Sequence, residues 1–511
     1  MADVFRYEVI PSSSWAYLST ILMVSIFFKF NRFVSVRNLD ILMLSLLAPG
    51  LLIVQHSQKE RQRIEPKVRA MAKDLDALRI KLASEQKEKS DAGGAITLDN
   101  EKNEKTEEQK GEEEENSITD PEYLRKDKAF KEKTDILNSI RGFEHAGYSW
   151  LFIASAALLI RMLVDPFMIR RPLLEPNLEF SGLIFLTIVL LFFLIANIVT
   201  ASVEPEDITA AESGKNLATA KATNPNRSKG PGYSLLFLFP VIPTFVTEEV
   251  EPGGEEGEEA KGQATDYSLT LVARIMAIVG QLAIVIGIYL VGLFHFGNTR
   301  MGIGIVTLYL LLPYTAEMTG RIIHILPSAA IVWAVVCYRK PVWAGAFIGL
   351  AMGLAYYPIY LLPLWFSFYW HRGLKQFLVG FFVIVVILAV TLVFTSSDLE
   401  HFWENLRAMF GIWAPLMEGL TGFWEEGFLD ASFRLPVIAA FFCLSISFAA
   451  WPAQKDLGTL LSCSAALMLA VQFWNGFGGG LLMAWYLPLA LMTMFRPNLE
   501  DRTAIALALD K

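Results

Sequence analysis

"KPVWAGAFIGLAMGLAYYPIYLLPLWFSFYWHRG", Lys340 to Gly373, carries no charged side chain between Lys340 and Arg372, and glycine returns in it every fourth residue at Gly345, Gly349 and Gly353. Apolar runs of this length span a bilayer, whose hydrocarbon core needs roughly 20 residues of helix. Tyr356-Tyr357-Pro358 interrupts the run, so it reads as two helices, Val342 to Tyr357 and Ile359 to Trp370, folded back at Pro358. Glycines at spacing four leave one helix face flat, which lets a neighbouring backbone approach closely where lipid offers no hydrophobic contrast.

The rest of the chain follows the same logic. Of its 511 residues 53% are hydrophobic, and its mean hydropathy is +0.41, above the range of soluble domains. Clear candidate spans are Ser181 to Thr200, Leu269 to Phe294, Leu374 to Thr395, Leu435 to Trp451, Leu457 to Phe473 and Leu481 to Phe495. Weaker ones are Trp15 to Phe28, Ile41 to Val54, Tyr148 to Val164, Met301 to Tyr314 and His324 to Tyr338. The expected fold is all-α, a polytopic transmembrane bundle of about 12–13 spans.

The first ten residues lack a basic n-region, and Lys29 and Arg32 follow the first apolar run, so that run is expected to remain as an anchor. Cys337, Cys443 and Cys463 all fall inside apolar runs. They suggest neither a disulfide framework nor a metal motif. The formal charge of -8 resides in the polar segments, and nucleic acid is not an expected partner.

Those polar segments divide the chain. Two helices in 1–54 precede a polar insert over 55–146, where Ile64, Val68, Met71, Leu75, Leu78 and Leu82 alternate spacings of four and three. That is the seam of a short coiled coil, and it predicts a protein partner along 58–86. From Glu85 to Ser117 the chain is too poor in apolar side chains to order itself. A helix pair occupies 147–200, and a second polar and acidic linker, expected to be mostly disordered, runs over 201–267. The main bundle fills 268–495, and 496–511 is a cytoplasmic tail.

Arg339-Lys340, His371 to Lys375, Lys455 and Arg496 share one side if consecutive hairpins alternate, and the positive-inside rule makes that side cytoplasmic. Ala316 to Ile323, Tyr356 to Pro358, Ser396 to Arg434 and Trp474 to Gly480 then face outward. Upstream, the parity turns on whether "YSLLFLFPVIPTFV", 233–246, crosses. The placement of charge favours crossing, which puts Asp165 to Phe180 outward and the coiled coil inside; otherwise both flip.

Two outward clusters bear chemistry. Glu317, Arg321 and His324 stand at spacings of four and three, one face of a helix near a membrane boundary. They make either an interfacial salt bridge or a clamp in which Arg321 and His324 hold a phosphate. Arg161 lies inside an apolar run with Asp165 one turn onward, either a local ion pair or a functional site. Tyr356 and Tyr357 read as belt aromatics or as a surface for a sugar or lipid phosphate.

"RIIHILPSAAIVWAVVCYRKPVWAGAFIGLAMGLAYYPIYLLPLWFSFYWHRGLKQFLVGF" with "WYLPLALMTMFRPN" resembles the multi-span GT-C glycosyltransferases that use polyprenyl-phosphate sugars. The shared element is Lys340-Pro341, Ala344-Gly345, Gly349-Leu350-Ala351, Pro358 and Leu361-Leu362-Pro363, and the resemblance covers the chain from about Met301. Family members often carry a lysine before the central proline, where this chain has Tyr356 and Tyr357. The resemblance implies a polyprenyl-phosphate sugar as donor substrate and an acidic general base, Asp165 or Glu317. It also implies substrate contacts from Arg161, Arg321, His324, Tyr356, Tyr357 and Tyr486, with membrane lipids and a lipid-linked sugar as partners. The expected function is transfer of a sugar to an acceptor on the outer face of the cell (inner) membrane. A lipid or small-solute transporter or flippase, and a catalytically degenerate scaffold, are the alternatives.

Overall fold

The computed structural model describes residues 12–92, 120–168, 174–219, 230–238, 240, 255–412, 417–425 and 429–497. The charged run over 93–119, Arg170 and Arg171, the acidic stretch 241–254, Glu426 and the tail from 498 lie outside the described residues. Among the described residues there is no strand, and seven helices are long and apolar enough to cross a membrane. The chain is an all-α membrane protein. Two compact units divide it, Met1–Pro49 with Trp150–Lys511, and Gly50–Ser149.

The smaller unit takes its residues from α2 (Val36–Ala92) and α3 (Pro121–Val164). Gln58 Nε2 donates to Tyr148 Oη at 2.9 Å, Arg61 meets Glu144 at 3.3 Å and Arg141 meets Glu65 at 3.8 Å. Leu75, Leu78 and Leu82 pack with Tyr123 and Phe130. Residue numbers rise on one helix as they fall on the other, so the two run antiparallel. The leucine seam that predicts an external partner along 58–86 is therefore filled at Leu75, Leu78 and Leu82 by this chain's own α3.

The larger unit holds α1 (Ser12–Phe27), α4 (Phe180–Thr200), α5 (Pro205–Ala218), α6 (Glu255–Leu290), α7 (Thr299–Leu311), α8 (Pro313–Glu317), α9 (Ile322–Val336) and α10 (Pro341–Leu354). It continues with α11 (Leu362–Tyr369), α12 (Leu374–Thr395), α13 (Leu399–Met409), α14 (Arg434–Ala450), α15 (Leu457–Trp474) and α16 (Leu487–Phe495). The glycine face of α10 meets α12 backbone to backbone. A Cβ at Gly345 would overlap the Phe377 carbonyl oxygen, one at Gly380 the Val342 carbonyl oxygen, and one at Gly353 the Leu388 side chain. The small-residue face thus has a partner within the chain.

The return expected at Pro358 forms, and the expected span Leu481 to Phe495 is broken instead of continuous. Tyr357–Leu361 is a 3-10 turn leading into the short α11, and Met483–Trp485 another leading into α16. A third break separates α7 from α8 at Pro313, which has no N–H to donate. Backbone freed at membrane depth must be satisfied within the protein, and polar side chains do this at each break. Thr315 Oγ1 donates to Tyr309 O at 2.7 Å, Ser445 Oγ to Tyr360 O at 2.7 Å and Ser328 Oγ to Ala484 O at 2.6 Å. Gln472, fully interior on α15, accepts from the N–H groups of Gly480 and Leu482 at 3.1 Å each and donates to Leu482 O at 3.2 Å.

Among the described residues of the insert 201–267, helix α5 is packed and not the solvated linker its composition suggests. Helix α5 buries Asp207, Ala210, Ala211 and Gly214, and Asp207 Oδ1 accepts the Ile322 N–H at the start of α9 at 3.0 Å. A Cβ on Gly214 would crowd Phe237 at 2.6 Å, so small side chains let this helix dock. Glu255–Leu290 is one helix, so the helix that carries the apolar span from Tyr267 begins inside the segment read as linker. Residues 232–238 stay beside α10, Gly230 N donating to Leu354 O at 3.0 Å.

One end of the larger unit is basic. There Arg37 Nε donates to Phe27 O at 2.8 Å, Arg300 to Leu178 O at 3.1 Å and Arg372 to Lys455 O at 2.9 Å. Lys455, buried between spans, donates to Pro452 O at 2.8 Å, and desolvation lowers its pKa. At the far end Asn197 reaches Ala316 O at 3.0 Å and Arg274 reaches Ala201 O at 3.1 Å. Asp165 bonds to Arg496 and so lies at the basic end. The expectation that Asp165 stands on the outward side, opposite Arg496, is corrected by that contact; residues 241–246 of the segment 233–246 lie outside the described residues.

Gly345→Leu and Gly380→Leu are expected to destabilise the protein by about 1–3 kcal/mol or more through overpacking of α10 on α12. Gly142→Ala, in a helix interior where a Cβ meets nothing within 4 Å, is expected to leave the melting temperature in detergent equal or slightly higher, since alanine favours the helix by up to about 1 kcal/mol.

Candidate functional site

Arg161 and Asp165 belong to a buried ion network. Arg161 Nε and Nη2 reach Asp40 at 2.7 and 3.1 Å, and Nη1 reaches Asp165 Oδ1 at 3.1 Å. Arg496 Nη2 and Nε hold Asp165 Oδ2 at 2.7 and 3.2 Å. A Cβ at Gly458 would overlap the Arg496 guanidinium, so glycine at the start of α15 makes room for it. Asp165 has no exposure at all. Both of its oxygens accept from cations and neither meets solvent, whereas a general base must lie within hydrogen-bond reach of the substrate hydroxyl. The arrangement fits a neutral structural network of two acids and two arginines, and it does not fit the role of base that the resemblance implies for Asp165 or of substrate contact for Arg161.

The remaining candidates gather at the far end, though not as their spacing predicts. Glu317 closes α8, and Arg321 has extended backbone and precedes α9, so no helix carries Glu317, Arg321 and His324 on one face. The turn forms because Asp207 supplies an acceptor at Ile322, an event the local sequence does not contain. Arg321 meets Glu204 at 3.5 Å. His324 Nδ1 lies 2.7 Å from the Tyr314 hydroxyl.

The Tyr356 and Tyr357 rings lie 4.0 Å apart, tilted by 32°, just past α10. Tyr356 packs on Gly411, whose φ of +65° and crowded Cβ position both require glycine. Tyr357 donates to Asn475 Oδ1 at 3.1 Å and lies 5.5 Å from the Trp474 ring and 5.1 Å from that of Trp485. Arg434 Nε donates to Trp474 O at 2.6 Å. The glycine turn 476–480 is tied down by Thr421, whose N–H donates to Gly476 O at 2.9 Å and whose Oγ1 accepts from Gly478 at 3.1 Å.

These two groups converge on the re-entrant segment 481–486. His324 approaches the backbone at Leu481 and Tyr314 that at Ala484, while Trp485 meets Tyr357. Tyr486, a candidate contact, is wholly buried beside Ser155 and is a core residue here. Sequence reading missed Gln472, Trp474, Asn475 and Trp485 as site builders. The available signals were a lone glutamine in the apolar run 457–473 and the cluster "FWNGFGGG". Among the described residues no group of three or more His, Cys, Asp or Glu is placed to hold a metal ion.

Comparison with protein-family models, with curated proteins and with solved structures finds no match to this chain.

Asp165→Asn leaves Arg161 and Arg496 with an uncompensated buried charge. It is expected to cost about 3–5 kcal/mol, read as a lowered melting temperature. Any activity it loses should fall only in proportion to the folded fraction.

Proposed function

We propose that the protein is a GT-C-like membrane glycosyltransferase, acting at the far end of its bundle on a sugar carried by a polyprenyl phosphate. The observation that carries this reading is that His324 and Tyr357 both reach segment 481–486, at Leu481 and Trp485, with Arg321 close enough to His324 to act on it electrostatically and Tyr356 packed on Tyr357, so that a cation and aromatic rings share one end of the membrane-spanning unit. In an inverting displacement, Glu317 takes the acceptor proton as the sugar's anomeric carbon leaves its phosphate, and Arg321 neutralises that leaving group. His324, bonded to Tyr314, orients the same edge of the site. By the positive-inside rule the far end is the outer face, and the cell (inner) membrane is the proposed location.

A second reading, a catalytically degenerate scaffold, draws on one specific observation: Asp165 is enclosed by Arg161 and Arg496 at the opposite end from these residues.

Transfer from labelled polyprenyl-phosphate sugars by the purified protein in nanodiscs tests the proposal. Turnover is expected for the wild type, with a loss of about 10²-fold or more in Glu317→Gln and a comparable loss in Arg321→Ala. Donor binding without turnover selects the scaffold.

A further inference from the structure

The far-end aromatic cluster contains two donors with nothing to donate to. Trp474 and Trp485 are 6% and 3% exposed, and neither indole Nε1–H has a hydrogen-bond partner. Three other interior tryptophans are satisfied: Trp424 donates to Phe473 O at 3.0 Å, Trp333 to Ala283 O at 3.0 Å and Trp365 to Ser464 Oγ at 3.2 Å, whereas the buried Nε1 of Trp15 likewise has no partner. Native interiors leave few such groups, and each calls for a reason. Here two of them share one neighbour, because both rings pack on Tyr357. The surrounding backbone is firmly held by Gln472 and Thr421, so neither indole sits in a loosely packed region.

We propose that Tyr356, Tyr357, Trp474 and Trp485 form a site for a pyranose ring, with the two indole N–H groups donating to its oxygens. The choice of a sugar rests on the glycosyl-transfer reading above, and the chemistry of the site agrees with it. Aromatic faces attract the polarised C–H groups of a sugar ring through their negative quadrupole. Neutral N–H donors match hydroxyl and ring oxygens, whereas the nearest cation, Arg434, spends its Nε on the Trp474 carbonyl and lies against Gly476, whose Cβ would stand 2.9 Å from its Cζ. Of the four rings Tyr356 alone is not fully buried, so the ligand enters by displacing it.

The site predicts an unusual pair of responses. Replacing either tryptophan by phenylalanine removes an unsatisfied donor from the empty protein but a hydrogen bond from the occupied one. With full-length protein in nanodiscs, saturation-transfer NMR is run with methyl α-mannoside, methyl β-glucoside and methyl β-galactoside, and with inorganic phosphate as competitor. At least one glycoside is expected to bind. Trp474→Phe and Trp485→Phe are each expected to weaken it about 3- to 10-fold, with any loss of melting temperature coming from the smaller ring. Benzothienylalanine at either position, which keeps the bicyclic ring and lacks the N–H, should act alike if phenylalanine packs poorly. Unchanged affinity in all these variants, no glycoside bound, or displacement of the glycoside by phosphate overturns the site. Sugar transfer with an unaltered KM in the variants overturns the site and leaves the transferase reading standing. Glycoside binding that the variants weaken, in a protein that transfers nothing, retains the site and removes the transferase.

Discussion

Asp165 has no solvent contact and two guanidinium partners, and the larger unit is organised around that constraint. An arginine inside an apolar helix is tolerated only when paired, and Arg161 is paired twice, to Asp40 on α2 and to Asp165 one turn beyond it. Arg496 closes the circuit from the far side of the sequence, passing over Gly458. Residues near both chain ends are thereby held at one end of the bundle, and breaking any member leaves a charge in a medium that cannot solvate it.

With that end secured, the opposite end can be irregular. Lipid contributes no hydrogen bonds, so a helix may break only where protein replaces the missing partners. Gln281, Gln472, Ser328, Ser445 and Thr315 supply them: Gln281, for example, donates to Thr319 O at 3.4 Å and accepts from the Tyr309 hydroxyl at 2.9 Å. Helix α15, nearly all of it buried, forms the post against which these breaks are set. The consequence is a far end built of 3-10 turns and glycine loops that point rings and a few polar groups at one another.

Much of this was legible beforehand because hydrophobicity and glycine spacing act locally. The return at Tyr356-Tyr357-Pro358 and the flat face at Gly345, Gly349 and Gly353 follow from side-chain size and from the missing proline N–H. The pairing of Arg161 with Asp165 was visible from a spacing of four in an apolar run. What was not legible involved partners remote in sequence. The helical face expected for Glu317, Arg321 and His324 does not form because Asp207 caps Ile322 from another segment. The leucine seam at Leu75 to Leu82 gave no hint that α3 fills it, and Arg496 gave none that it meets Asp165.

By itself, then, the sequence determined that this is a polytopic helical membrane protein, where most of its helices fall and which polar residues are costly enough to need partners, because those are properties of single segments in a solvent of known thickness. Tertiary structure alone decided which acid meets which base, which apolar runs break, and that Trp474 and Trp485 close on Tyr357. Those outcomes depend on contacts between segments tens to hundreds of residues apart, and no local pattern encodes the geometry in which such segments meet.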